Sequence, residues 1–137
     1  MNHWLVKSEP FAYSWDDFVA AGKSIWDGVR NYQARNNLQA MKIGDLVLFY
    51  HSNQGMCVVG MAQVSREAYP DPTANDPRWV VVEMLPVQAF ERPVSLKQIK
   101  ADNRLSDIAL IKQSRLSVMP IKAAEFDIIL NLGNDET

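Results

Sequence analysis

From Asp45 to Ser52 the chain passes through Leu46-Val47-Leu48-Phe49-Tyr50 without a polar residue to turn toward water. A strand that is apolar on both faces must be covered on both, which suits the centre of a sheet. Asn53-Gln54-Gly55 then supplies a turn, and Met56 to Arg66 reads as the returning strand of a hairpin. His3 to Lys7 alternates around Trp4 and Val6 as a short strand ended by Glu9-Pro10. Arg78 to Phe90 is a third long strand interrupted by Pro86, and Arg115 to Val118 a short one. Tyr69 to Pro77 holds three prolines in nine residues and is expected to be an irregular loop.

The helices are marked by their ends. Ser14 precedes Asp16 and Asp17, a serine cap with acids in the first turn, and Gly22 suits the C-terminal end. Asn31 caps a second helix reaching Met41, closed by Gly44-Asp45. Ser95 to Ala101 and Leu105 to Ile111 read as short helices, and Ile121 to Leu132 as a C-terminal one with a frayed tail over the last five residues. Several strands with few crossovers and helices at the flanks predict an α+β fold on a small curved sheet or barrel. At 137 residues the chain suits one domain, 1–137.

Other classes lack their signals. No apolar run approaches the roughly 18 to 20 residues that span a membrane, and the N-terminal residues carry no basic stretch followed by an apolar one, so no secretory signal is expected. A single cysteine, Cys57, allows no internal disulfide and fits a reducing compartment. The expected location is cytoplasmic, or nuclear in a eukaryote. Two histidines, His3 and His51, give no metal-ligand spacing. No phosphate-cradling glycine loop or dinucleotide fingerprint is present, so no metal and no cofactor is expected. The chain reads as a binder rather than an enzyme.

The net charge of −2 hides an uneven distribution. Residues 23–42 hold Lys23, Arg30, Arg35 and Lys42 against Asp27. Residues 92–122 hold seven basic residues against Asp102 and Asp107, and the chain from Glu125 onward is acidic. These charges either gather into a basic face or scatter over a solvated surface.

Between Ser24 and Asn37 lie Trp26, Tyr32, Arg30, Arg35 and four amides, with little to bury beyond Ile25, Val29 and Ala34. Rings stack on bases, amides read hydrogen-bonding edges and arginines hold phosphate. Trp26 is either a core tryptophan or one wall of a pocket. Asp27-Gly28 favours the wall, because a sharp turn beside the ring leaves bare backbone to read a ligand edge. Tyr32 is a weaker candidate that also suits the first apolar contact of its helix, and Asn31 serves as that helix's cap. Lys7-Ser8-Glu9 and Tyr50-His51-Ser52 each follow a strand end, where polar groups reach a rim or are simply solvated. His51 alone reads more readily as a structural histidine. Trp79, after the proline-rich loop, packs on that loop or on a ligand. Arg115 is a phosphate contact or a surface charge. Trp4 and Trp15 are assigned to the core.

Trp4-Leu5-Val6-Lys7-Ser8-Glu9-Pro10, Trp26 through Asn37, Gly44-Asp45 with Phe49-Tyr50-His51-Ser52, Ala68 through Thr73, Pro77-Arg78-Trp79 and Arg115-Leu116-Ser117-Val118 together resemble the EVE domain family over essentially the whole chain. The resemblance implies a PUA-like fold, a small curved β-barrel with flanking short helices, related to the YTH domains that read N6-methyladenosine. It implies a reader of modified cytosine or adenine in DNA or RNA. The base pocket would be formed by Lys7, Ser8, Glu9, Trp26, Asp27, Gly28, Val29, Asn31, Tyr32, Tyr50, His51, Ser52 and Trp79, with phosphate contacts from Arg30, Arg35 and Arg115. Relatives usually carry a longer insertion where only Ala74-Asn75-Asp76 separates Thr73 from Pro77; if that loop closes over a ligand in them, the lid here is shorter, and the pocket is more open or its ligand larger or more weakly held. Two alternatives stand beside the reader: a pocket for a free planar small molecule such as a nucleoside, for which the arginines would be dispensable, and a hydrolase of modified nucleotides using His51.

Overall fold

A computed structural model describes residues 1–134; the tail beyond them lies outside the described residues. In chain order the elements are β1 (His3–Ser8), α1 (Trp15–Ala21), β2 (Ser24–Ile25), α2 (Tyr32–Ala40), β3 (Leu46–His51), β4 (Cys57–Pro70), β5 (Val80–Ser95), α3 (Leu96–Ala101), a 3₁₀ turn (Asn103–Leu105), α4 (Ala109–Lys112), β6 (Val118–Ile121) and α5 (Ala123–Asn134). The strands form one curved, unclosed six-stranded sheet in the order β2-β5-β4-β3-β1-β6.

The apolar run of β3 lies between β4 and β1, with Val47, Leu48, Phe49 and Tyr50 all buried. β1 runs parallel to β3 and antiparallel to β6. Being central, it buries Trp4, Leu5 and Val6 in succession rather than alternating as expected. The indole N–H of Trp4 donates to Asp45 Oδ2 at 2.9 Å, which lets a polar handle sit in the core.

Helix caps form where local chemistry places them. Ser14 and Asp17 make a reciprocal capping box on α1, and Gly22 closes it at φ 75°. Asn31 caps α2 by accepting from the Ala34 N–H at 2.9 Å.

The departures from expectation come from pairing. β4 continues to Pro70 and β5 runs through Pro86 to Ser95, with register shifts that let the ladder pass the proline. The irregular loop therefore begins at Asp71. Leu105 to Ile111 divides into the 3₁₀ turn and α4. β6 lies at Val118–Ile121, so Arg115, Leu116 and Ser117 form the turn that enters it. Gly133 and Asn134 are helical and buried instead of frayed; a Cβ on Gly133 would run into the ring of Phe90 in β5.

Trp15 packs edge-on against Phe49 at 5.4 Å and Phe18 at 5.5 Å, and its ring lies directly on the backbone of Gly60 in β4. A Cβ at residue 60 would fall 2.5 Å from two ring atoms. Gly60→Ala is therefore expected to destabilise the fold by roughly 1–3 kcal/mol through overpacking. Urea unfolding checks this: the midpoint falls with an unchanged slope, and an unchanged midpoint refutes the packing argument.

Candidate nucleic-acid interface

β1 and β6 pair as far as Val6↔Val118, and one step further the Lys7 N–H donates to the Ser117 carbonyl at 2.9 Å. At the other end of the sheet, β2 pairs with β5, and the Trp26 N–H extends that pairing to the Val82 carbonyl at 2.8 Å. The sheet's curvature brings the segment after β2 back against the β1 end. A cavity of about 620 Å³ opens between them.

One side of the cavity is Lys7, Ser8, Glu9, Ala12 and Tyr13, the end of β1 and the loop after it. The facing side runs from Ser24 to Arg30, and Ser117 completes the wall. Trp26 is both things the sequence allowed. It lies in the aromatic core, edge-on to Phe49 at 5.6 Å and to Tyr13 at 6.4 Å, is only 8% exposed, and is one of the residues lining the cavity. With so little of the residue exposed, it cannot offer a ligand a whole free ring face.

The turn beside Trp26 is held from outside the cavity. Gly28 adopts φ 75°, and its N–H donates to Asp71 Oδ2 at 3.0 Å. The same carboxylate receives Arg30 at 3.0 Å, while its other oxygen receives the Thr73 N–H at 2.7 Å and the Thr73 hydroxyl at 2.6 Å. Asp71 is buried. Burial alone would raise its pKa, but the donors from Thr73, Gly28 and Arg30 outweigh it and hold the carboxyl down to about 2. The short loop before Trp79 thus acts as a clamp on the Asp27–Arg30 turn. It contributes no residue to the cavity wall.

Lys7, Ser8, Glu9, Trp26, Asp27, Gly28, Val29 and Arg30 meet at the cavity, and the other named residues lie elsewhere. Tyr32 and Trp79 pack on each other at 5.0 Å outside it. Arg35 lies over Tyr32 and Arg30 over Trp79, giving an Arg–Tyr–Trp–Arg ladder along the start of α2. Asn31 is committed to its cap. Tyr50 is buried in β3, and the Ser52 N–H bonds the Ser8 carbonyl at 2.9 Å. His51 Nε2 accepts the Trp15 N–H at 3.0 Å at the start of α1. Burial lowers its pKa against an opposing pull from Asp16, which suits the neutral acceptor form. Arg115 is exposed in the turn before β6.

The sequence profile of the EVE domain matches residues 2–132. The chain belongs to the EVE domain family. It is 37% identical to mouse thymocyte nuclear protein 1 over 169 residues, covering 98% of this chain and 75% of that one. Since this chain has 137 residues, the mouse protein carries residues with no counterpart here. A crystal structure of an Agrobacterium tumefaciens protein is 46% identical with a TM-score of 0.95, covering 97% of this chain and 93% of that one. Human THYN1, solved in complex with DNA containing 5-methylcytosine, is 33% identical with a TM-score of 0.91 and full coverage of both chains. The YTH domain of Zygosaccharomyces rouxii MRB1 shares the fold at 15% identity and a TM-score of 0.62, over 96% of this chain and 85% of that one.

In this EVE domain the cavity's charges are largely engaged. Lys7 Nζ donates to the Ser114 carbonyl at 2.7 Å, and burial lowers its pKa. Glu9 accepts from Asn53 at 2.8 Å. Arg30 is matched by Asp71, whereas among the described residues the Arg35 guanidinium bonds only Asn36 and the Arg78 carbonyl, neither of them an anion. Among the described residues no three metal-ligating side chains cluster, and no helix is long and apolar enough to cross a membrane. Sequence reasoning missed Tyr13, Ser24, Ser117 and the Asp71 clamp. The Asx-type turn in Pro70-Asp71-Pro72-Thr73 was the available local sign of Asp71.

Proposed function

We propose that this EVE domain is a non-catalytic reader of a modified base in nucleic acid, taking the extruded base into the cavity between β1 and Trp26. The observation that carries the reading is that cavity itself. It lies in the size range of small-ligand sites, has an aromatic wall and a polar rim, and suits one nucleotide rather than the side of a helix. The likeness to human THYN1, solved with 5-methylcytosine DNA, supports DNA carrying that base as the first ligand to test.

Extruding a base costs a few kcal/mol, and stacking returns roughly 1–3 kcal/mol. With only part of Trp26 free, hydrogen bonds at the rim and phosphate contacts supply the remainder. Asp27, exposed beside the ring, and Glu9 are the edge-reading candidates. Arg115 and Arg35 are the stronger phosphate candidates, because the Arg30 charge is already compensated. With so few contacts the salt dependence is shallow, a slope of about −0.9 per phosphate. His51 serves α1 and lies off the cavity wall, which favours binding over hydrolysis. Such a reader works where nucleic acid is, in the bacterial cytoplasm or the eukaryotic nucleus.

The test is fluorescence anisotropy on oligonucleotides with and without one 5-methylcytosine, using wild type, Ser117→Trp to fill the cavity, and Arg115→Glu. A preference on the order of tenfold for the modified oligonucleotide is expected. Ser117→Trp should abolish that preference, and Arg115→Glu should weaken all sequences alike. Equal affinity for every oligonucleotide, untouched by Ser117→Trp, refutes the reading. Free modified nucleoside bound as tightly as DNA, with Arg115→Glu silent, would favour the small-molecule pocket.

A further inference from the structure

Phe11 is 85% exposed, more than any other large hydrophobic residue among those described. It projects from a tight turn in which the Glu9 carbonyl accepts both the Ala12 and the Tyr13 N–H at 2.9 Å. Both ends of the turn are anchored. The Ser8 hydroxyl donates to the Tyr13 carbonyl, the Tyr13 ring packs against Phe18 and Trp26, and the Glu9 carboxylate is tied to Asn53. The ring is therefore mounted on a firm base instead of dangling from a loose loop.

Its position is what matters. Ala12 and Tyr13, the next two residues, form part of the cavity wall. Phe11 is thus an exposed apolar ring on the same short turn as two residues of the cavity wall.

We infer that Phe11 is a wedge that enters the stack of duplex DNA and fills the gap left when a base is extruded into the cavity. This rests on the reading of the cavity as a base pocket. An emptied position in a duplex is an apolar slot one base thick. An apolar side chain placed in it restores stacking for both neighbours and hinders the base from returning. A single strand or a free nucleoside has no such slot, so the wedge acts on duplexes alone.

The experiment compares wild type, Phe11→Ala, Phe11→Trp and Ser117→Trp by anisotropy on two probes: a fully paired duplex with one central 5-methylcytosine, and the modified strand alone. Because Phe11 is exposed, its variants should fold, which thermal melting verifies. Phe11→Ala is expected to lose on the order of tenfold on the duplex, to stay within about twofold of wild type on the single strand, and to be rescued by Phe11→Trp. Equal affinity of Phe11→Ala and wild type on both probes overturns the wedge. Equal loss on both overturns it too, since Phe11 would then be a general contact at the pocket mouth. A wild type that ignores the modification, with Ser117→Trp silent, shows instead that the pocket reading has failed, and the wedge falls with it.

Discussion

Replacing Asp71 with alanine is expected to cost about 3 kcal/mol of stability and most of the base selectivity. The carboxylate is buried and receives four donors: the N–H groups of Gly28 and Thr73, the Thr73 hydroxyl and Arg30. Removing one partner of a buried ion pair typically costs roughly 3–5 kcal/mol because the other is left without compensation. Here the Arg30 side chain is 40% exposed and can rehydrate, which argues for the lower end. The loss of selectivity follows from geometry: the clamp sets the backbone of the turn that lines the cavity beside Trp26, and 1 Å of play there spoils edge recognition. Asp71→Asn, which keeps the shape but not the charge, should fall between alanine and wild type. Urea unfolding and anisotropy on modified and unmodified DNA measure the two effects, and an Asp71→Ala variant with native stability and selectivity would refute the clamp.

The same carboxylate gives a pH signature. Its folded pKa of about 2 lies below the ordinary 3.8, so the unfolded chain takes up the proton first as pH falls. The contribution is whole above about pH 4 and declines between roughly pH 4 and pH 2, by about 2 kcal/mol in all. Asp45 is also held low, against the opposing effect of its burial, by Trp4 and the N–H groups of Lys42 and Asn2, and adds to the acid slope. Only the difference between wild type and Asp71→Asn therefore isolates Asp71. Parallel stability curves across that window would sink the assignment.

How much of this was legible in the chain follows from how local each cause is. Ser14, Gly22 and Asn31 mark helix ends through contacts a few residues away, and each reading is matched by the structure. The apolar run of β3 and its hairpin were equally readable, because burial on both faces leaves a compositional trace. β2 was invisible: two residues, Ser24 and Ile25, are a strand only by virtue of pairing with Glu83 and Met84. β6 was placed too early because Leu116 and Val118 look alike in an alternating pattern, while pairing with β1 begins at Val118.

The site divides along the same line. The Trp26-Asp27-Gly28 wall was legible from a ring beside a turn. Asp71 reaches Gly28 across 43 residues, and only the fold brings the two together. His51 and Ser52 follow a buried strand as polar residues should at a rim, but in the fold they satisfy the backbone of α1 and β1 instead. Tyr32 and Trp79 carried the aromatic character of a pocket. They spend it on each other, with arginines over their outer faces.

Trp26→Ala is expected to have the largest effect of all. It removes a side chain in contact with Phe49 and Tyr13 and leaves a void in the aromatic core, a class of change that costs roughly 3–5 kcal/mol. Against a typical domain stability of about 5–15 kcal/mol, that is enough to leave a marginal fold, so lost binding in this variant alone says little about recognition. Trp26→Phe separates the two roles. A phenyl ring still fills most of the space against Phe49, and the void it leaves is smaller than alanine's, so the cost falls below the roughly 3–5 kcal/mol of that variant, while the indole is lost from beside the cavity. If Trp26 serves only the core, this variant lowers the urea midpoint and binds modified and unmodified DNA in the wild-type ratio. If it is also the wall, the ratio collapses in a protein that remains folded, and a preserved ratio would end the wall assignment. The expected collapse is several-fold rather than complete, because so little of the ring is free and the Asp27–Gly28 backbone, still clamped by Asp71, continues to face the ligand.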